Sequence, residues 1–173
     1  MLNFKYKKVI VIGNNGSGKS YFSTKLSEIT DLPLIHLDVL FWKENWTHYS
    51  REEWANIQRE LVSKDEWILD GMHISTLEIR FASADAIFFL DFDTSFCIES
   101  VRKRQLEESS RADFPNHLNK HQRDFDEFVK GVAEFEEKRR PKIMGLHEKY
   151  PSKDFIVFKT RQEVDDYLKS ISK

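Results

Sequence analysis

The stretch Lys8-Val9-Ile10-Val11-Ile12-Gly13-Asn14-Asn15-Gly16-Ser17-Gly18-Lys19-Ser20 decides how the rest of the chain is read. Its first half is a continuous β-branched run, the pattern of a strand covered on both faces. Its second half fits G-x-x-x-x-G-K-[ST] at every fixed position. Glycines let the backbone curl until successive N–H groups converge on phosphate oxygens, and the N-terminus of a following helix adds positive potential. Gly13, Asn14, Asn15, Gly16, Ser17, Gly18, Lys19, Ser20 and Tyr21 are therefore the expected nucleotide-binding segment. Lys19 is expected to reach the β- and γ-phosphates of ATP, and the Ser20 hydroxyl to join the coordination of Mg2+. The following helix should run through about Ile29, with Phe22, Leu26 and Ile29 on its inner face.

Working outward, Leu34-Ile35-His36-Leu37 reads as a second strand ending at Asp38. Ser50-Arg51-Glu52-Glu53 has capping-box spacing and opens a helix through about Ser63. Trp67-Ile68-Leu69 is a third strand, ending at Asp70-Gly71, and Ala86-Ile87-Phe88-Phe89-Leu90 a fourth, ending at Asp91. A helix follows from about Thr94 to Glu107, and Phe125, Phe128, Val132 and Phe135 fall on one face of a long charged helix. Phe155-Ile156-Val157-Phe158 is a fifth strand, and Thr160-Arg161-Gln162-Glu163 opens a last helix. Short apolar strands separated by helices give an α/β chain with a parallel sheet covered on both faces. Ligands in such sheets sit beyond the carboxyl ends of the strands, where Gly13, Asp38, Asp70 and Asp91 all fall.

The 173 residues suit a single domain, 1–173, and no linker, repeat or low-complexity segment divides them. No apolar run approaches a membrane span, and Met1–Lys8 lacks a signal core, so a cytoplasmic protein is expected. Cys97 is the single cysteine, which excludes an intrachain disulfide; its apolar neighbours point to a buried, inert thiol. A net charge of −2 argues against a general nucleic-acid partner, although Arg102-Lys103-Arg104 and Lys138-Arg139-Arg140-Pro141-Lys142 are basic runs.

The ordered set of motifs resembles the adenylate-kinase-related family labelled "DNA topology modulation protein", whose members look like small nucleoside and nucleotide kinases. The residues that carry the resemblance are Ile12–Ser20, Leu32-Pro33-Leu34-Ile35-His36-Leu37-Asp38, Phe41-Trp42-Lys43 with Trp46, Trp67-Ile68-Leu69-Asp70-Gly71, Ala84-Asp85, Phe89-Leu90-Asp91, Arg104, and Phe135 with Lys138-Arg139-Arg140-Pro141. The resemblance implies a P-loop NTPase fold: a five-stranded parallel sheet in the order 2-3-1-4-5, helices on both faces and a helical lid at about 104–142. It implies an acceptor side at about 38–64, and it makes Arg80 a counterpart of the arginine that holds an acceptor phosphate. It also places adenine against Lys159-Thr160-Arg161. In this chain Met72-His73 follow Asp70-Gly71, where true adenylate kinases have Phe-Pro-Arg, and Ser100 stands four residues before Arg104.

The expected site is thus Lys19, Asp38, Asp70 and Arg104 as the catalytic set, with Asp38, Trp42 and Arg80 facing the acceptor. Asp70 is preferred to Asp91 as the carboxylate that orders water on magnesium held by Ser20. Asp38 either holds the acceptor hydroxyl or caps the following turn. Phe41, Trp42, Trp46 and Trp54 either stack on a base or fill the core. His36 reads as structural, and His73 lies near the rim without a ligand set. An ATP-dependent kinase for a small acceptor such as a nucleoside or nucleotide is the leading reading. The alternative is an NTPase or nucleotide-operated regulator without an acceptor, with a link to DNA topology. Asn119-Lys120-His121-Gln122 lacks the final Asp of a guanine-reading motif.

Overall fold

The β-branched run forms strand β1 (Lys8–Gly13) at the centre of a five-stranded parallel sheet in the computed structural model, which describes residues 4–43, 47–106 and 125–172. Val9, Ile10, Val11 and Ile12 have no exposed surface, as a strand covered on both faces requires. Strand β3 (Trp67–Asp70) pairs with one edge of β1, and strand β4 (Ala86–Leu90) with the other. Strand β2 (Leu34–His36) lies outside β3, and strand β5 (Asp154–Phe158) outside β4. The resulting order, β2-β3-β1-β4-β5, is the expected one.

Alternation along β1 divides the core. Val9 and Val11 pack with Phe22 and Leu26 of helix α1 (Lys19–Thr30) and with Phe88 and Phe158. Ile10 and Ile12 pack on the other face with Leu69, Phe89, and Trp54 and Leu61 of helix α3 (Arg51–Ser63). Each buried aliphatic or aromatic side chain contributes roughly 1.5–3 kcal/mol. Helix α3 opens with a complete capping box: the Ser50 hydroxyl accepts from Glu53 N–H, and the Glu53 carboxylate accepts from Ser50 N–H.

Three elements differ from the sequence reading. Strand β2 stops at His36, where its partner β3 also ends, and Leu37 begins a short helix α2 (Leu37–Phe41). Asp38 therefore sits in the first turn of a helix, not at a strand end. Helix α4 (Leu77–Ser83) precedes β4 and was not foreseen. After helix α5 (Thr94–Leu106), the expected long helix is broken into α6 (Phe125–Ala133), α7 (Phe135–Lys138) and α8 (Arg140–Lys149). The break has a packing cause: Val132 belongs to the core with Val9, whereas Phe135 packs in the opposite core against Phe89. Pro141 at the start of α8 enforces a second restart. Among the described residues no helix is long and apolar enough to cross a membrane.

The end of β4 is clamped to these elements. Arg140 donates from Nε to both oxygens of Asp91 at 3.0 Å and from a terminal nitrogen at 2.9 Å, and the Lys159 ammonium pairs with the same carboxylate. Helix α9 (Arg161–Ile171) starts just beyond Lys159, with the Thr160 hydroxyl accepting from Glu163 N–H. Burial pushes the Asp91 carboxyl up, but hydrogen bonds from Arg140 and Lys159 outweigh it and hold the group below the usual carboxylate range. A carboxyl depressed in the folded state stabilises in full above its unfolded value of about 4, and that stabilisation fades as acid titrates the folded group. Lys159, largely in water, adds little. Asp91→Asn is expected to lower stability at pH 7 by about 2 kcal/mol, measured by urea unfolding, with the gap to wild type closing below about pH 4. Equal midpoints at pH 7 would show the clamp to be energetically idle.

Candidate active site

The loop after β1 is curled, with Gly16 at φ 85° and Gly18 at φ 89°, a region that residues with a Cβ rarely enter. Gly16 is constrained twice, since a Cβ there would lie 2.4 Å from the Cys97 carbonyl oxygen of α5. Asn14 organises the curl. Its carbonyl accepts from the Ser17 hydroxyl at 2.8 Å and from the Lys19 ammonium at 2.9 Å. Its side-chain oxygen accepts from Asn15 N–H at 2.8 Å, while its amide donates to the Val132 carbonyl of α6 at 2.9 Å. The Tyr21 hydroxyl donates to Asp165, which ties α1 to α9. Burial pushes the Cys97 thiol up to about 11, so it is an inert packing group.

Two turns of chemistry meet where α1 faces β3. The Ser20 hydroxyl donates to Asp70 Oδ2 at 3.1 Å, and His36 Nδ1 lies 2.7 Å from the same oxygen. The register of β2 on β3, which sets His36 opposite Asp70, creates the second contact. Asp70 is only 4% exposed, and its Oδ1 has no hydrogen-bond partner among the described residues. A buried carboxylate oxygen without a donor beside a serine hydroxyl suits a hydrated hard cation, whose water supplies the missing hydrogen bond. No group of three or more His, Cys, Asp or Glu among the described residues is placed to hold a metal ion. Magnesium in phosphate-binding sites commonly takes one or two carboxylates plus water and phosphate oxygens, which matches this sparse set. Asp91, the competing strand-ending carboxylate, is already neutralised by Arg140 and Lys159.

Asp38, in α2, and His73, in the loop after β3, form a second pair. His73 Nε2 is 2.9 Å from Asp38 Oδ1, in ion-pair range without hydrogen-bond alignment. His73 has a backbone φ of 27°, unusual for a residue with a side chain. Its ring lies 4.9 Å from the Phe41 centroid and 5.0 Å from that of Trp54. Trp54 is core, 2% exposed, whereas Phe41 and Trp42 are half-buried and Trp42 bridges to His48.

Arg80 differs from its expected role. Its side chain has no exposed surface, and its terminal nitrogens donate to the carbonyls of Gly71 (2.8 Å), Met72 (2.8 Å) and His73 (3.3 Å). Burial pushes its pKa down to about 9, against the pull of Asp38 and Asp70. A guanidinium committed to three carbonyls braces the loop after Asp70 and presents no fork to an acceptor phosphate.

Against solved structures, the chain is similar to a shikimate kinase from Acinetobacter baumannii solved in complex with shikimate, at 10% identity and a TM-score of 0.65, covering 95% of this chain and 90% of that one. It is also similar to a shikimate kinase from Bacteroides thetaiotaomicron, at 14% identity and a TM-score of 0.59, covering 96% of each. A sugar kinase from a Janibacter species gives 14% identity and a TM-score of 0.51, over 96% and 92%. The fold is that of a P-loop kinase. No family model matches the chain, and no curated protein matches it by sequence.

Within this P-loop kinase fold, Ser20 and Asp70 are brought together, Lys19 bonds the Asn14 carbonyl, and Asp38 stands beside His73. Arg104 stands exposed in the last turn of α5. Trp46, Arg111 and residues 107–124 of the expected lid lie outside the described residues. The sequence reading missed the His36–Asp70 and Asp38–His73 pairs. Both join residues more than thirty positions apart, so no local spacing announces them. Gly16→Ala is expected to destabilise the protein by about 2–4 kcal/mol, through the left-handed backbone and the collision with Cys97. An unchanged Tm would show that the loop does not lie this tightly on α5.

Proposed function

We propose that the protein is a magnesium-dependent kinase that transfers the γ-phosphoryl group of ATP to a hydroxyl of a small acceptor. The observation that carries this reading is Asp70 Oδ1, buried without a donor among the described residues, beside the Ser20 hydroxyl at the mouth of a curled glycine loop. The fold shared with shikimate and sugar kinases supports the same class of chemistry. Ser20 and Asp70 would hold a magnesium ion between them, through water on the Asp70 side, and the ion would supply charge neutralisation for the phosphates.

The chain's own residues divide the remaining work. Backbone N–H groups of Asn14 to Ser20, with Tyr21 at the first turn of α1, cradle the phosphates. Lys19 leaves the Asn14 carbonyl and follows the β- and γ-phosphates, replacing a neutral acceptor with a charged one. Ser20 would supply a ligand to the metal and Asp70 would order its water, while His36 fixes the carboxylate's orientation. Asp38 receives the acceptor hydroxyl and takes its proton, and Trp42 lines the acceptor side. Arg104, at the end of α5, closes over the transferring group. Transfer of this kind relies on position and charge far more than on a strong base.

Radiolabelled ATP with magnesium and an acceptor panel tests the reading: label should move to an organic product. Label recovered only as free phosphate would favour an NTPase. Lys19→Ala is expected to weaken ATP binding at least tenfold and to cut turnover by about a hundredfold or more, measured by calorimetry and steady-state kinetics. Unchanged turnover in that variant would defeat the site assignment.

A further inference from the structure

The second residue of the glycine loop has a side chain whose bonds tie the loop to a distant helix. Asn14 is 1% exposed, and both polar atoms of its side chain are engaged. Its Nδ2 donates to the Val132 carbonyl at 2.9 Å, and its Oδ1 accepts from Asn15 N–H at 2.8 Å. Val132 lies in the last turn of α6, where carbonyls seek donors beyond their own helix. That acceptor is well anchored, because the Val132 side chain has no exposed surface and packs in the core that contains Val9.

Asn15 N–H and the Asn14 carbonyl are the two ends of one planar peptide group, so a bond that fixes the first also aims the second. The aimed oxygen accepts from Ser17 N–H at 3.3 Å, from the Ser17 hydroxyl at 2.8 Å and from the Lys19 ammonium at 2.9 Å. A line of hydrogen bonds thus runs from α6 through the Asn14 side chain and the peptide plane to Lys19. Gly13 and Gly16 flank this stretch, and backbone between glycines turns over readily unless something holds it. Lys19 supplies the charged bond on the carbonyl. Its departure toward a phosphate leaves the Asn14 side chain and Ser17 to hold the plane.

We infer that the Asn14 side chain is a positioning element of the phosphate loop: anchored on α6, it locks the Asn14–Asn15 peptide and so fixes the place from which Lys19 engages phosphate. The inference rests on the kinase reading of the same site. It makes α6 part of the phosphate-binding apparatus through a backbone carbonyl. Asn14 acts through Lys19, so its contribution to nucleotide affinity depends on the lysine being present.

The test uses the full chain and Mg-ATP. Calorimetry on the wild-type protein reads the loop first, and absence of binding would remove the kinase reading and this inference with it. The backbone at Asn14 has no positive φ, so alanine fits there. Asn14→Ala should weaken Mg-ATP binding about tenfold, whereas the same change in a Lys19→Ala background should weaken it less than about threefold. Equal costs in the two backgrounds would show a general structural role and overturn the inference. A second measurement needs no nucleotide: acylation by an amine reagent, followed by mass spectrometry, with exposed Lys64 as the internal reference. Lys19 should react at least about fivefold faster in Asn14→Ala than in wild type. A wild-type rate at Lys19 would overturn the inference, and this measurement decides if Lys19→Ala binds no nucleotide. Asn14→Ser, with one polar atom in place of two, replaces Asn14→Ala if that variant does not fold, and should move both readouts the same way.

Discussion

The arrangement depends on how closely the glycine loop lies against its surroundings. Gly13 meets the Leu90 carbonyl of β4, and Gly16 meets the Cys97 carbonyl of α5, at separations that no Cβ could share. This squeeze fixes the start of α1, and hence the places from which Lys19 and Ser20 project. The strand beneath it, β1, is buried on both faces and paired on both edges, which anchors the loop. Asn14 completes the constraint by binding α6 from a position inside the loop.

Two strand-ending aspartates flank β1 and have different fates. On the β4 side Asp91 is saturated by Arg140 and Lys159 and acts as a bolt between β4, α8 and the entry to α9. On the β3 side Asp70 keeps one oxygen without a donor among the described residues, while its other oxygen takes Ser20 and His36. Burial without complete satisfaction costs stability, so a structure that leaves such an oxygen beside a serine hydroxyl has a ligand's worth of coordination in reserve. The same asymmetry separates Arg80 from its expected role, because it is turned inward to hold the backbone after Asp70.

What could be read from the sequence was what local pattern determines. β1, β3 and β4 announced themselves because strands buried on both faces must be continuously apolar. The strand order came from the resemblance. The curled glycine loop was legible because the residues that build it are contiguous from Gly13 to Ser20. The edge strand β2 was read one residue too long, since its end is set by the length of β3 and not by its own composition. The long helix was read through Glu134 because Val132 and Phe135 share a helical face, although they serve opposite cores. Side-chain pairs across the rim were invisible for a related reason: His36 with Asp70 and Asp38 with His73 are products of register and loop path, and Asp91 with Arg140 spans forty-nine positions.

A structure determined with a non-hydrolysable ATP analogue and magnesium tests the central claim most directly. The account expects the triphosphate inside the curl of residues 14–20, the Lys19 ammonium moved from the Asn14 carbonyl onto phosphate, and a metal-bound water on Asp70 Oδ1. A nucleotide bound elsewhere, with Lys19 still on Asn14 and Asp70 Oδ1 still without a donor, would contradict it.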